Sequence, residues 1–168
     1  AALKFNADPI ITITGDCPLV DPSLLDKILE FYLENNYDFV SNTIIPTYPD
    51  GLDIEIFSLK SLTKSFNEAK LKSEKEHVTP YIWKNPKIFQ LFNYKNKEDL
   101  SNHRWTVDEQ LDLELIRKIY SNFKPKIIFS FKDVVEMVKL NPEIFKINEN
   151  IKRNEGYFKS IKEDLDNQ

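Results

Sequence analysis

Four scarcities narrow the field before any motif is considered. A single cysteine, Cys17, leaves no internal disulfide, and two histidines, His77 and His103, provide no zinc-type ligand spacing. Three glycines, Gly15, Gly51 and Gly156, permit neither a G-x-G-x-x-G fingerprint nor a G-x-x-x-x-G-K-[ST] phosphate loop anywhere in the chain. No uninterrupted apolar run approaches the ~20 residues of a membrane-spanning helix, and the N-terminus lacks the basic, apolar and small-residue succession of a secretory signal. The expected location is therefore cytoplasmic, with no membrane partner. Basic residues are unclustered and the net charge is -4, so the positive footprint of a nucleic-acid binder is missing.

What is present is enough for a core. Twelve Phe, seven Tyr and two Trp among 168 residues place the chain well outside the disordered class and suit one hydrophobic centre. The expectation is a single domain over 1–168 with a polar, charge-balanced extension over 146–168. Because the chain starts at Ala1 rather than Met and enters a strand-like run almost at once, it is expected to be a fragment of a longer domain.

Periodicity predicts an α/β fold with a mostly parallel sheet flanked by helices. Pro9 to Thr14 is a short β-branched run without polar alternation, as in a buried parallel strand. Asp21-Pro22 then pairs an N-cap with proline at the first helical position, and Leu25, Ile28, Leu29 and Tyr32 follow helical spacing. Tyr37 to Thr43 reads as a second strand, completing a βαβ order that favours parallel pairing. Ile44 to Asp53 is a loop and Ile54 to Phe57 an alternating strand. Ser58 caps a helix to about Leu71, and Ser73-Glu74-Lys75-Glu76 fits a capping box. Ile88 to Tyr94 and Arg104 to Val107 are further strands. Helices follow from about Glu109, with Leu113, Ile116 and Tyr120 on one face, and from Ser130, with Phe131, Val134, Val135 and Val138.

Ligands of open α/β sheets sit beyond the carboxyl ends of the strands, and two acids meet that condition. Asp16 follows the first strand through Gly15, and Asp108 follows the strand at 104–107. If their strands are neighbours, the two carboxylates share a metal, and hard oxygen donors without histidine suit Mg2+ carried in with a polyphosphate. Pattern alone favours plainer roles: a helix cap for Asp108 and an Asx-turn ahead of Pro18 for Asp16.

Several blocks taken together resemble a known family. Ile13-Thr14-Gly15-Asp16-Cys17-Pro18-Leu19-Val20-Asp21-Pro22 resembles the Gly-Asp-x-Pro-Leu segment of sugar cytidylyltransferases. Tyr48 to Glu55, Ser73 to Tyr81, Arg104 to Glu109 and Ile151 to Tyr157 resemble, in the same order, the spore coat polysaccharide biosynthesis protein F family. That family is similar in fold to the acylneuraminate and deoxyoctulosonate cytidylyltransferases, with a nucleotide-diphospho-sugar transferase sandwich. Nothing here matches the basic Arg-x-Gly-Ser-x-Arg-x-Pro-Gly-Lys loop at the front of the family. The resemblance thus implies its C-terminal two thirds, lacking the N-terminal nucleotide-binding unit.

The resemblance implies CTP and a sugar or sugar acid as partners, with a sugar hydroxyl attacking the α-phosphate, release of pyrophosphate, and no activity in the isolated fragment. Asp16 and Asp108 become the catalytic, magnesium-binding carboxylates. Asp50, Asp53, Glu55, Glu76, His77 and Arg104 become candidates for the substrate pocket. Each has a plainer alternative: turn residues for Asp50 and Asp53, the capping box for Glu76, a backbone donor for His77, and carboxylate pairing for Arg104. Trp105 is core or a stacking platform, and Cys17 a small buried side chain rather than a nucleophile. Two other hypotheses compete. A metal-dependent glycosyltransferase of the same fold needs Asp-x-Asp at a strand end, and here the pattern occurs only at Asp164-Leu165-Asp166 in the polar tail. A truncated domain that forms a homodimer and catalyses nothing is the third.

Overall fold

The computed structural model describes residues 1–166, so the last two residues of the predicted 146–168 extension lie outside the described residues. In chain order it runs α1 (Ala2–Phe5), β1 (Ile10–Thr12), α2 (Pro22–Glu34), β2 (Phe39–Ser41), β3 (Glu55–Phe57), α3 (Leu59–Glu68), α4 (Lys72–Glu76), α5 (Pro80–Trp83), β4 (Leu91–Asn93), α6 (Gln110–Phe123), α7 (Phe131–Leu140), α8 (Pro142–Phe145) and α9 (Glu155–Asp166). Among the described residues no helix is long and apolar enough to cross a membrane.

The sheet is mixed, which corrects the expectation of a mostly parallel one. Its order is β1-β3-β2-β4, with β3 antiparallel to both β1 and β2 and only the β2–β4 pair parallel. The first two strands do run in the same direction, as the βαβ order predicts, but β3 inserts between them in reverse. The cause is the connection: no helix lies between β2 and β3, and a helical crossover is the usual way to return a chain parallel. The segment 104–107 is not a strand. Its contact with other backbone is a lone bridge from Arg104 to Asp50, after which Val107 turns to bond Asp16.

Alternation along the short strands sorts the side chains onto two faces. Val40 and Ile56, paired in register, enter a cluster with Leu24 and Ile28 of α2, Leu115, Ile116 and Ile119 of α6, and Val134 and Val138 of α7. Phe39 and Phe57, also paired, face the other way and pack with Ile82 of α5 and Phe89. Ile28, Ile54, Ile56 and Ile119 are completely buried, each worth about 1.5–3 kcal/mol by transfer. This is a helix–sheet–helix sandwich.

Local signals hold with adjustments. Asp21 caps α2 through Oδ1, accepting from Ser23 N at 2.8 Å and Leu24 N at 3.2 Å, while its Oδ2 accepts from Phe131 N at 2.8 Å and ties down α7. Ser130 and Asp133 form the predicted capping box of α7. In α4, however, the box starts two residues early. Glu74 reaches back to the N–H groups of Lys70 and Leu71, while the backbone N–H of Ser73 goes to Asp164. Glu76 therefore plays no part in the cap.

Candidate active site

The chain leaves β1 at Thr12 and turns so that the Cys17 N–H donates to the Thr14 carbonyl at 3.4 Å. Asp16 is gripped from the far segment: Val107 N donates to its carbonyl at 2.9 Å, and the Thr106 hydroxyl to Oδ2 at 3.1 Å. An Asx-turn into Pro18 is impossible, because proline has no N–H to donate. Burial opposes ionisation of Asp16, but hydrogen bonds from Thr14, its own backbone and Thr106 outweigh it and hold the carboxyl below its ordinary range. Burial, reinforced by Asp16 and Asp53, pushes the Cys17 thiol up to about 12, so it is a neutral wall group and not a thiolate.

The second acid stands at the start of α6. Asp112 performs the capping expected of Asp108, accepting from the N–H groups of Asp108 at 3.1 Å and Glu109 at 3.0 Å. The Asp108 carboxylate is thereby left to face outward, half exposed, with Oδ2 at 2.6 Å from Arg104 Nη2. Arg104 itself is buried and forks among three acids. It also meets Asp112 through Nε at 3.1 Å and Nη2 at 3.0 Å, and Asp50 through Nη1 at 3.1 Å. Asn148 completes the shell of Asp112 at 2.8 Å. Burial opposes the Asp112 carboxylate, yet the Arg104 and Asn148 hydrogen bonds win and keep it below its ordinary range.

Gly51 makes this assembly possible. Its φ is +95°, and a Cβ there would lie 2.7 Å from both the Thr106 nitrogen and the Trp105 carbonyl carbon. Only glycine lets the 50–51 backbone lie against 103–106, where Asp50 N donates to His103 O at 2.9 Å and Trp105 N to Asp50 O at 2.7 Å.

A further set of acids surrounds the end of the sheet. Arg153 donates to Asp53 and to the Tyr48 carbonyl and lies 3.7 Å from Asp50, binding the C-terminal segment onto the loop after β2. Burial nevertheless pushes Asp53 up to about 6, against the pull of Arg153. Among the described residues Glu55 has no cationic partner. Its carboxylate accepts hydroxyls from Thr79 at 3.0 and 3.1 Å, from Thr12 at 3.2 Å and from Thr43 at 3.5 Å, and burial raises it to about 7 despite them.

These groups line two adjoining cavities beyond the carboxyl ends of β1 and β2. The first, about 680 Å³, includes Asp16, Asp50, Asp53, Arg104, Asp108 and His77. The second, about 430 Å³, includes Glu55, Thr12, Thr43, Thr79 and Trp83. Asp53, His77, Thr14, Asn154 and Tyr157 border both. Of the residues singled out from sequence, Trp105 is buried in the core and Glu76 also lies outside the cavities; Glu76 is exposed and accepts from Ser160 at 3.1 Å. His77 bonds the same Ser160 through Nε2 at 3.1 Å.

Sequence reasoning missed Asp112, Arg153 and the three threonines. Asp112 carried a signal, since it stands three, four and seven positions before Leu115, Ile116 and Ile119 on the buried face of α6. Arg153 lies within a family-like block but has no local feature that names its partner.

A family model described as Cytidylyltransferase matches residues 1–155. The chain is 36% identical over 155 residues to the uncharacterized protein MJ1063 of Methanocaldococcus jannaschii, covering 91% of this chain and 62% of that one. It is 28% identical over 137 residues to the spore coat polysaccharide biosynthesis protein SpsF of Bacillus subtilis, covering 80% and 56%. A solved structure of a cytidylyltransferase from Leptospira borgpetersenii superposes with a TM-score of 0.82 at 38% identity, covering 86% of this chain and 61% of that one. The chain thus spans about three fifths of the length of these relatives. The match over residues 1–155 shows that the chain belongs to the cytidylyltransferase family.

Proposed function

We propose that the cleft serves CTP-dependent nucleotidyl transfer to a sugar or sugar acid for polysaccharide biosynthesis. In this reaction a sugar hydroxyl oxygen forms a bond to the α-phosphorus, the bond to the β-phosphate oxygen breaks, and pyrophosphate leaves. The observation that carries the reading is that Asp16 and Asp108, from opposite parts of the sequence, line one cavity that adjoins a second one bordered by Asp53.

The donor set fits a magnesium ion. Asp16 is held ionised, and Asp108 keeps Oδ1 clear of protein hydrogen bonds among the described residues. Magnesium binds through one or two carboxylates and takes its other ligands from water and phosphate oxygens, which is the demand these two acids could meet. Charge favours it as well, since among the described residues Asp16, Asp50, Asp53, Asp108 and Asp112 are set against the guanidiniums of Arg104 and Arg153 and the exposed Lys159. Magnesium held by Asp16 and Asp108 supplies neutralisation of the phosphate oxygens.

The chain's own groups do the rest. Thr106 and the Val107 amide fix Asp16, and Arg104 fixes Asp108, so both carboxylates are placed before the nucleotide arrives. Asp53 borders both cavities and accepts the proton of the attacking hydroxyl. Arg104 is committed to three acids, so among the described residues Lys159 is the remaining lysine or arginine lining the first cavity that could meet a triphosphate. The isolated chain is therefore expected to turn CTP over weakly or not at all. The glycosyltransferase alternative loses its motif, because both Asp164 carboxylate oxygens lie 3.3 Å from the Ser73 N–H in a helix contact.

Titration calorimetry with CTP and magnesium tests the reading. Asp16→Asn and Asp108→Asn are each expected to weaken magnesium-dependent CTP binding at least tenfold while the protein stays folded. Unchanged affinity in both variants overturns it.

A further inference from the structure

The chamber around Glu55 has an unusual donor balance, and it bears on the acceptor. Thr12 and Thr79 commit their single hydroxyl proton to the Glu55 carboxylate, and Thr43, 3.5 Å from that carboxylate, shares its hydroxyl with Ser41 Oγ at 2.7 Å. Each threonine oxygen then presents only lone pairs to whatever enters, beside a carboxylate that is itself an acceptor. The register explains why the arrangement is fixed: Thr12 and Glu55 face one another across the β1–β3 pair, and Glu55 is bonded through β3 to β2 on its other side. Thr79 comes from the start of α5 and is 3% exposed.

Charge points the same way. No lysine or arginine lines this chamber among the described residues, and the ionisable groups that do are Asp53, Glu55, His77 and Tyr157. Arg153 reaches Asp53 from behind and does not line either cavity. His77 is committed through Nε2 to Ser160, which in turn faces Glu76. The aromatic wall, Trp83 against Tyr157 with centroids 5.9 Å apart, suits the C–H face of a pyranose.

Resting on the nucleotidyl-transfer reading above, we propose that the Glu55 chamber selects a sugar that brings hydrogen-bond donors and no carboxylate, a neutral or amino sugar rather than a sugar acid. A sugar-acid carboxylate brought against Glu55 and its threonines is an acceptor against acceptors and an anion beside anions, and the buried Tyr157 hydroxyl, which has no hydrogen-bond partner among the described residues, is a neutral donor that does not offset that charge. A hydroxyl or ammonium group instead donates to the free lone pairs of Thr12, Thr43 and Thr79 and to Glu55. The upward displacement of Glu55 to about 7 agrees with a site that already resists one negative charge.

Protein-observed NMR of the full chain separates the possibilities, with the methyls of Thr12, Thr43 and Thr79 as reporters. The probes are a panel of neutral hexoses, hexosamines and N-acetylneuraminate, added singly at pH 7.5, with magnesium-CTP titrated in a separate series. The expected result is saturable shifts of these methyls by at least one neutral or amino sugar, with N-acetylneuraminate at least tenfold weaker. Glu55→Gln is expected to weaken the hexosamine at least tenfold, and Thr43→Val to weaken the same ligand severalfold should Glu55→Gln not fold. N-acetylneuraminate binding as well as the best neutral sugar, or no panel member shifting the methyls, overturns the inference. If magnesium-CTP still binds in either case, the nucleotidyl-transfer reading survives. If the sugars bind and magnesium-CTP does not, that reading falls and the chamber's selectivity stands.

Discussion

Two sets of acids lie within one cleft, and their surroundings differ in kind. Around Arg104, three carboxylates share a guanidinium, and Asp112 is completely buried yet held below its ordinary range. Around Glu55, three neutral hydroxyls do the binding, and burial raises the acid to about 7. Hydrogen bonds are present in both places, so their number does not decide protonation. The balance of all the groups around each acid against burial does: at Asp112 the hydrogen bonds of Arg104, Asn148 and two backbone amides outweigh it, whereas burial prevails at Glu55 and also at Asp50, although Asp50 shares Arg104. The first set is thus tied together by a shared cation, while the second can exchange a proton near neutrality.

The largest way to break this contrast is Arg104→Ala, which leaves Asp50 and Asp112 buried without their cation. The expected loss is about 3–5 kcal/mol in urea unfolding, and a loss below about 1 kcal/mol would show that the frame does not depend on the pairing. Gly51→Ala attacks the same frame through the backbone, because the added Cβ collides with Trp105 and Thr106. About 2–4 kcal/mol is expected, with the aromatic signals of Trp105 displaced in NMR spectra.

Glu55→Gln sharpens the other side. In the folded state Glu55 holds its proton to about pH 7, whereas the unfolded chain releases it near 4.5. The proton is thus bound more tightly by the folded form, and that contribution is full below pH 4.5 and is lost as the pH rises to about 7. Wild-type stability is expected to fall by about 2–3 kcal/mol across this window relative to Glu55→Gln. Unfolding curves at pH 4.5 and 7.5 that move in parallel for the two proteins would remove the contrast.

How much of this the sequence disclosed depended on the range of each signal. Local chemistry was legible: Asp21-Pro22 marked the start of α2, Ser130 with Asp133 marked α7, and Gly15-Asp16 stood at the end of a strand. Strand direction was not, because alternation in Glu55–Phe57 is the same for either orientation, and the helix-free link from β2 was the missed clue. The face of α6 was placed in part: Ile116 is buried and Tyr120 packs against the core, but the buried face also takes in Leu115, Ile119 and, unforeseen, Asp112. Its burial follows from a partner eight residues earlier, which no periodicity reveals. The surroundings of Glu55 were the least visible part, being assembled from Thr12, Thr43 and Thr79 through strand register and a helix start.

β3 is zipped to a neighbour along each of its edges, with Glu55 opposite Thr12 on one side and Ser41 on the other. A residue in that position cannot slide to meet a visitor; the whole ribbon would have to move with it. Molecules of the wrong outline are then turned away at the threshold rather than accommodated by adjustment, and any broadening of what this cleft accepts would have to come from the looser segments that face the sheet.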